Sequence, residues 1–472
     1  MKYSLILGAL LLAAALPAAQ AAPPKARNCH LPGVEDTLRC LTLPVPLDPA
    51  RPGQALQLHV TVAPALRAGA RVDPLFVLAG GPGEAGSEVL PLLNTALQRV
   101  RATRDIVFID QRGTGLSGKL ECESGPDDDS VLSDEQIDAM LRRCIAASKA
   151  PLSAYTTANA ARDIEQVRRA LGYGKINLWG GSYGTRLGQA YARAFPENVR
   201  ALILDAVAAP DQVIPAGGRD SQAALDKLFA QCEQDAACSK AFPGLRAEFG
   251  GLVAKVDKGI KVALSDPRTA RPVDITMTGA RLLGTVHNML YAPADARRLP
   301  FLVHSAAQGR WQPFVARRNV SADYSAEGSS ATLLYLAVVC AEDLPRLTPA
   351  LAASDAAPLT RDFIARLPGL CRTVNVPAVP WTEPARIDAP ALLLSGALDP
   401  VTPPHRAASA ARYMARAQHL TAPNVGHGVS QLGCAPRLLR AFLDRPEQKI
   451  DGRCLDEIPP PTFLLGSAGP QP

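Results

Sequence analysis

An α/β architecture, with a mostly parallel central sheet covered by helices on both faces, is predicted by three features of the sequence. Nearly continuous apolar runs recur at "PLFVLAGG" (74–81), "DIVFIDQRG" (105–113), "KINLWGGS" (175–182), "RALILDAV" (200–207) and "PALLLSGALD" (390–399). Such runs suit strands buried on both faces, whereas "ALQLHVTV" near residue 55 alternates as a half-buried strand does. Helical patterns separate the runs, and strand and helix in alternation give a parallel sheet. The alternation breaks between about residues 210 and 385, where helix-leaning sequence with Pro and Gly punctuation divides two central strands.

The first stretch, "MKYSLILGALLLAAALPAAQA", has a lysine, an apolar run and a small-residue end at Ala19-Gln20-Ala21. It is expected to be a signal peptide, residues 1–21, and an apolar run this short is a poor membrane anchor. Export places the mature chain in the periplasm or outside the cell, with no further membrane segment. Ten cysteines, Cys29, Cys40, Cys122, Cys144, Cys232, Cys238, Cys340, Cys371, Cys434 and Cys454, suit an oxidising compartment. Joining neighbours in order closes the shortest loops, although spacing alone leaves other pairings open. No C-x-x-C pair or zinc-like spacing occurs, so no metal is expected.

The core is expected in two parts, 22–208 and 386–458, around a helical insertion at 209–385, followed by a poorly ordered Pro-rich tail at 459–472. With 472 residues, of which 47% are hydrophobic, there is ample material for this. The formal charge of +6 is spread along the chain without a basic run, which argues against nucleic acid as a partner. In "TTANAARDIEQVRRALG" (156–172), Ala160, Ile164, Val167 and Leu171 mark one helix face and Gly172 stops it.

Gly180-Gly181-Ser182-Tyr183-Gly184 places a serine at a strand-to-helix junction. There a sharp turn exposes the hydroxyl, and the helix beginning at Tyr183 points free N–H groups at whatever Ser182 attacks. A serine needs a base, and the base an orienting acid. Asp399 follows an apolar strand and His427 lies between Gly426 and Gly428. Asp205, also at a strand end, is the rival acid. His30 and His59 precede the serine, His287 and His304 fall in the insertion, and His405 and His419 read as surface or core. The oxyanion needs two N–H donors: Tyr183 is one, and the loop "VLAGGPGEAGS" (77–87) supplies Gly81, with Gly80 next, because Pro82 has no N–H. This loop lacks the lysine and hydroxyl of a phosphate-binding loop.

"GGPG" after a strand, "DQRGTGLSG" (110–118), "GGSYGT" (180–185), "DPVTP" (399–403) and "GHG" (426–428) occur in an order that resembles secreted α/β-hydrolases related to proline iminopeptidase and bacterial tripeptidyl aminopeptidase. The resemblance covers roughly 40–208 and 386–446. Ala79 stands where cytoplasmic relatives have histidine, and Tyr183 where proline iminopeptidases have tryptophan, which favours the tripeptidyl-aminopeptidase side. It implies an α/β-hydrolase fold with a cap, no cofactor, and cleavage near a free N-terminus. An exopeptidase must hold the substrate ammonium with a buried anion, for which "VVCAEDLP" offers Glu342 and Asp343. Asp110 and Arg112 are expected to brace the oxyanion loop as an ion pair. An esterase or amidase for small molecules would use the same machinery, and an inactive binding protein could share the fold.

Overall fold

The computed structural model describes residues 25–49, 51, 53–67, 69, 71–122, 133–265, 269–317 and 331–469. The signal peptide expected at 1–21 lies outside the described residues. Among them, no helix is long and apolar enough to cross a membrane.

Nine strands form the main sheet: β1 (Arg27–Cys29), β2 (Leu38–Pro46), β3 (Ala55–Ala63), β4 (Leu75–Leu78), β5 (Ile106–Ile109), β6 (Ile176–Gly181), β7 (Val199–Asp205), β10 (Ala391–Gly396) and β11 (Ala417–Ala422). Their order is β1-β2-β3-β5-β4-β6-β7-β10-β11. β1, β2, β3 and β5 pair antiparallel in turn, and β5, β4, β6, β7, β10 and β11 run parallel. The apolar runs read from the sequence are thus the central strands. Successive side chains alternate between the two faces of the sheet. Phe76, Leu78, Val107 and Ile109 enter one core with the helices Thr157–Ala170 and Tyr183–Ala194. Leu75, Val77, Ile106 and Phe108 enter a second core with the helix Ala435–Asp444. Thr156 caps the helix Thr157–Ala170 by accepting from Asn159 N–H, and Gly172 beyond its end has a φ of +73°.

The insertion divides into two packing units. Helices Gly218–Gln234, Leu245–Val256, Gly279–Leu290 and Leu299–Ala307 surround a core of their own, including Phe229, Phe249, Met289 and Phe314. This unit includes an antiparallel hairpin, β8 (Ile260–Ser265) with β9 (Pro272–Met277), which the helix-leaning expectation missed. The helices Thr332–Glu342 and Arg361–Val374 instead join the main core through residues such as Leu336, Val339, Leu367 and Val374.

The tail is docked, contrary to the expectation of poor order. Phe463 is buried against that separate core, with the Arg297 guanidinium 4.0 Å from its ring centroid, and Leu464 N–H donates to Arg297 O. The apolar run Phe463-Leu464-Leu465 outweighs the surrounding prolines. Five disulfides join neighbouring cysteines: Cys29–Cys40, Cys122–Cys144, Cys232–Cys238, Cys340–Cys371 and Cys434–Cys454.

The expected Asp110–Arg112 pair is not formed. Asp110 accepts from Ser87 N–H, Ser87 Oγ–H and Leu116 N–H, which does brace the loop after β4. Arg112 pairs bidentately with buried Asp163, at 2.7 and 2.8 Å, and donates to Leu47 O and Ala154 O. Burial pushes the Asp163 carboxyl up against the pull of Arg112. Removing one partner of such a pair leaves an uncompensated buried charge. Arg112→Met is therefore expected to cost about 3–5 kcal/mol in urea unfolding, with part recovered in an Arg112→Met/Asp163→Leu double variant.

Candidate active site

The parallel strands deliver their C-terminal ends to one edge, where ligands bind in open α/β sheets. Leu78, Gly181, Asp205 and Gly396 are the last residues of β4, β6, β7 and β10. A cavity of about 540 Å³ opens there, lined among others by Gly80, Gly81, Glu84, Ser182, Tyr291 and His427.

Ser182 has φ 52° and ψ −121°, a strained conformation for a residue with a side chain. The neighbouring glycines make that turn feasible. A Cβ on Gly184 would overlap Leu78 O, and one on Gly180 would overlap Gly184 O. Helix and strand can therefore meet this closely only without side chains at 180 and 184. The Ser182 carbonyl accepts from Thr185 N–H and Thr185 Oγ–H, which starts the helix.

Asp399 and His427 meet. His427 Nδ1–H donates to Asp399 Oδ2 at 2.9 Å, leaving Nε2 free to accept a proton. Asp399 is buried and also accepts from Val401 N–H and Thr402 N–H on Oδ1, each at 2.8 Å, and from Thr402 Oγ–H on Oδ2. Its own burial would raise its pKa, but His427 and these donors outweigh that and hold it below the ordinary carboxylate value. Burial likewise disfavours the imidazolium, yet the Asp399 carboxylate, with smaller contributions from Asp205 and Glu84, holds the His427 pKa above its usual value.

Asp205, the rival acid, takes a different part. Its carboxylate accepts from Val429 N–H and Ser430 N–H at 2.7–3.0 Å and so shapes the turn just past the histidine. From the insertion, Tyr291 O accepts His427 N–H at 2.8 Å, and the two rings sit edge to face with centroids 5.0 Å apart. A Cβ on Gly426 would overlap Tyr291 O, which is the physical need for that glycine.

Ser182 and His427 line the same cavity, while among the described residues no hydrogen bond joins Ser182 Oγ to the imidazole. Such contacts are often long before substrate enters. The N–H groups of Gly81 and Tyr183 have no protein acceptor among the described residues. Gly80 N–H, the alternative donor, is taken by Glu84 Oε2 at 2.8 Å.

Glu342 and Asp343 are not in this cavity. Glu342 caps the helix Thr157–Ala170, accepting from Thr157 N–H and Thr157 Oγ–H at 2.7 and 2.6 Å, and Tyr183 Oη–H donates to the same Thr157 Oγ. Asp343 is fully buried and is held by Arg186, Arg346 and Ile214 N–H. Both carboxylates are satisfied within the protein. Three residues of the site escaped the sequence reading: Glu84, Thr402 and Tyr291. Glu84 and Thr402 lie inside motifs already singled out, so their signal was available; Tyr291 carries none, because the insertion's fold brings it there.

A cavity lined by His427, by a serine at a strained turn and by Gly81, with the Tyr183 N–H next to that serine in sequence, can support acyl transfer. Family models match the chain twice: "alpha/beta hydrolase fold" over residues 73–241 and "TAP-like protein" over residues 357–454. The serine protease Hip1 of Mycobacterium tuberculosis is 33% identical over 279 residues, covering 54% of this chain and 53% of that protein. The tripeptidyl aminopeptidase of Streptomyces coelicolor is 33% identical over 195 residues, 37% of this chain and 36% of its own. The proline iminopeptidase of Neisseria gonorrhoeae is 33% identical over 132 residues, 28% and 31% respectively. The aligned part thus spans about half the length of Hip1 and about a third of the other two.

Proposed function

We propose that this chain, a member of the α/β-hydrolase family, is an exported serine peptidase that releases short N-terminal units from peptides. The observation that carries the reading is the strained Ser182 sharing one cavity with an imidazole fixed by a buried carboxylate. The likeness to Hip1 and to the two aminopeptidases supports the choice of peptides as substrates. Five disulfides and the leader-like sequence at 1–21 support export to the periplasm or beyond.

In this scheme His427 Nε2 takes the Ser182 hydroxyl proton as Oγ bonds to the scissile carbonyl carbon. The carbonyl oxygen becomes an oxyanion received by the N–H groups of Gly81 and Tyr183. His427 then passes its proton to the departing amine as the C–N bond breaks, leaving an acyl-enzyme. Water, deprotonated by the same nitrogen, cleaves the ester and restores Ser182. Asp399 keeps the imidazole in the productive tautomer and stabilises its cation.

A panel of chromogenic substrates tests the assignment. Anilides of peptides or amino acids with a free amine are expected to be cleaved at least about tenfold faster in kcat/KM than N-blocked forms, because a desolvated ammonium pairs strongly with an anion. Preference for simple esters with indifference to the amine would transfer the chain to small-molecule esterases.

A further inference from the structure

We propose that Glu84 binds the substrate's α-ammonium beside Ser182, so that the enzyme removes one residue at a time. The inference rests on the peptidase reading and deepens it. With Glu342 and Asp343 engaged elsewhere, the cavity itself offers three carboxylates: Asp205, Glu88 and Glu84. Asp205 is saturated by the Val429 and Ser430 amides. Glu88 accepts from Ala85 N–H and stands 3.9 Å from the Lys119 ammonium. Glu84 has Gly80 N–H on one oxygen and, among the described residues, no cation within salt-bridge distance. Burial, with Glu88 close by, pushes its carboxyl up against the pull of Gly80 N–H and His427. An ammonium arriving in the cavity would supply a counter-charge.

Its position sets the length of the released unit. A Cβ placed on Gly80 would lie 3.2 Å from Glu84 Oε2 and 3.2 Å from Ser182 Cβ, so carboxylate and nucleophile flank a single point. The α-nitrogen of an amino acid lies about 2.5 Å from its own carbonyl carbon, two bonds away. Those two contacts put Glu84 Oε2 at most about 6.4 Å from Ser182 Cβ, a gap that one residue spans only along a bent path, with an attack distance of about 3–3.5 Å and a charged hydrogen bond of about 2.8 Å. Each additional residue moves the ammonium outward by about 3.3 Å, so the N-terminus of a tripeptidyl unit would lie about 7 Å too far from Glu84.

The test uses the full mature enzyme. Mass spectrometry of a decapeptide digest is expected to show a ladder of single-residue losses, whereas losses of three residues would overturn the proposal without any variant. In parallel, Glu84→Gln keeps an acceptor for Gly80 N–H and removes only the charge. It is expected to lower kcat/KM for an aminoacyl p-nitroanilide by about 10- to 100-fold, mainly through KM. The preference for free-amine over N-acetylated substrate should shrink by the same factor, with partial return in Glu84→Asp. A purely structural Glu84 would depress both substrates alike and leave that ratio standing, which overturns the assignment. Failure of the peptidase reading looks different: the wild-type enzyme would then show no amine preference at all.

Discussion

Ser182→Ala is expected to abolish covalent labelling by a fluorophosphonate and to reduce peptide anilide hydrolysis by about 10⁶-fold, to the level left by binding and the oxyanion donors alone. The reagent phosphonylates an activated serine hydroxyl with loss of fluoride, so it reports the nucleophile independently of substrate preference. Labelling that persists in the variant would place the reactive serine elsewhere. A companion variant separates chemistry from folding. Ser182 is held at φ 52°, where a Cβ costs on the order of 1–3 kcal/mol. Ser182→Gly should therefore be equally inactive yet more resistant to urea than Ser182→Ala, by roughly 1 kcal/mol once glycine's greater unfolded-state freedom is offset.

Asp399→Asn is expected to lower kcat by about 10⁴-fold, because an amide favours the wrong imidazole tautomer and gives the imidazolium no counter-charge. The pH dependence carries the sign. His427 acts as a base only when neutral, and its pKa is held above the ordinary histidine value. The acid limb of kcat/KM in the wild-type enzyme should therefore lie above that value, with activity lost as pH falls through it. In Asp399→Asn, burial becomes the dominant influence and the limb should move to lower pH. Asp399 itself stays ionised across this range, since its pKa is held below the usual carboxylate value. An acid limb unmoved by the substitution would mean that Asp399 is not the partner of the essential base.

The sheet was legible because strands buried on both faces need unbroken apolar runs, and β4 and β5 are four such residues each. Ser182 and His427 at one cavity, and Asp399 against His427, were legible because the glycines beside the serine and the histidine answer demands of close packing. Glu342 and Asp343, expected to hold the substrate amine, lie outside the cavity for a physical reason. Their apolar surroundings announce burial but not direction, and a helix N-terminus and two arginines compensate them locally. Glu84 shows the reverse case, a charge whose meaning appears only when the loop after β4 is folded beside Ser182. Arg112 belongs with the first group: its neighbour Asp110 was visible, but its actual partner Asp163 lies 51 residues away.

The backbone of His427 is moored to Tyr291, a residue of the insertion, while the cross-links at 232–238 and 340–371 close within that insertion and the other three close outside it. Sulfur therefore contributes nothing to fastening one part to the other. Swinging the insertion away as a rigid door would break the hydrogen bond from His427 N–H to Tyr291 O and part the two rings.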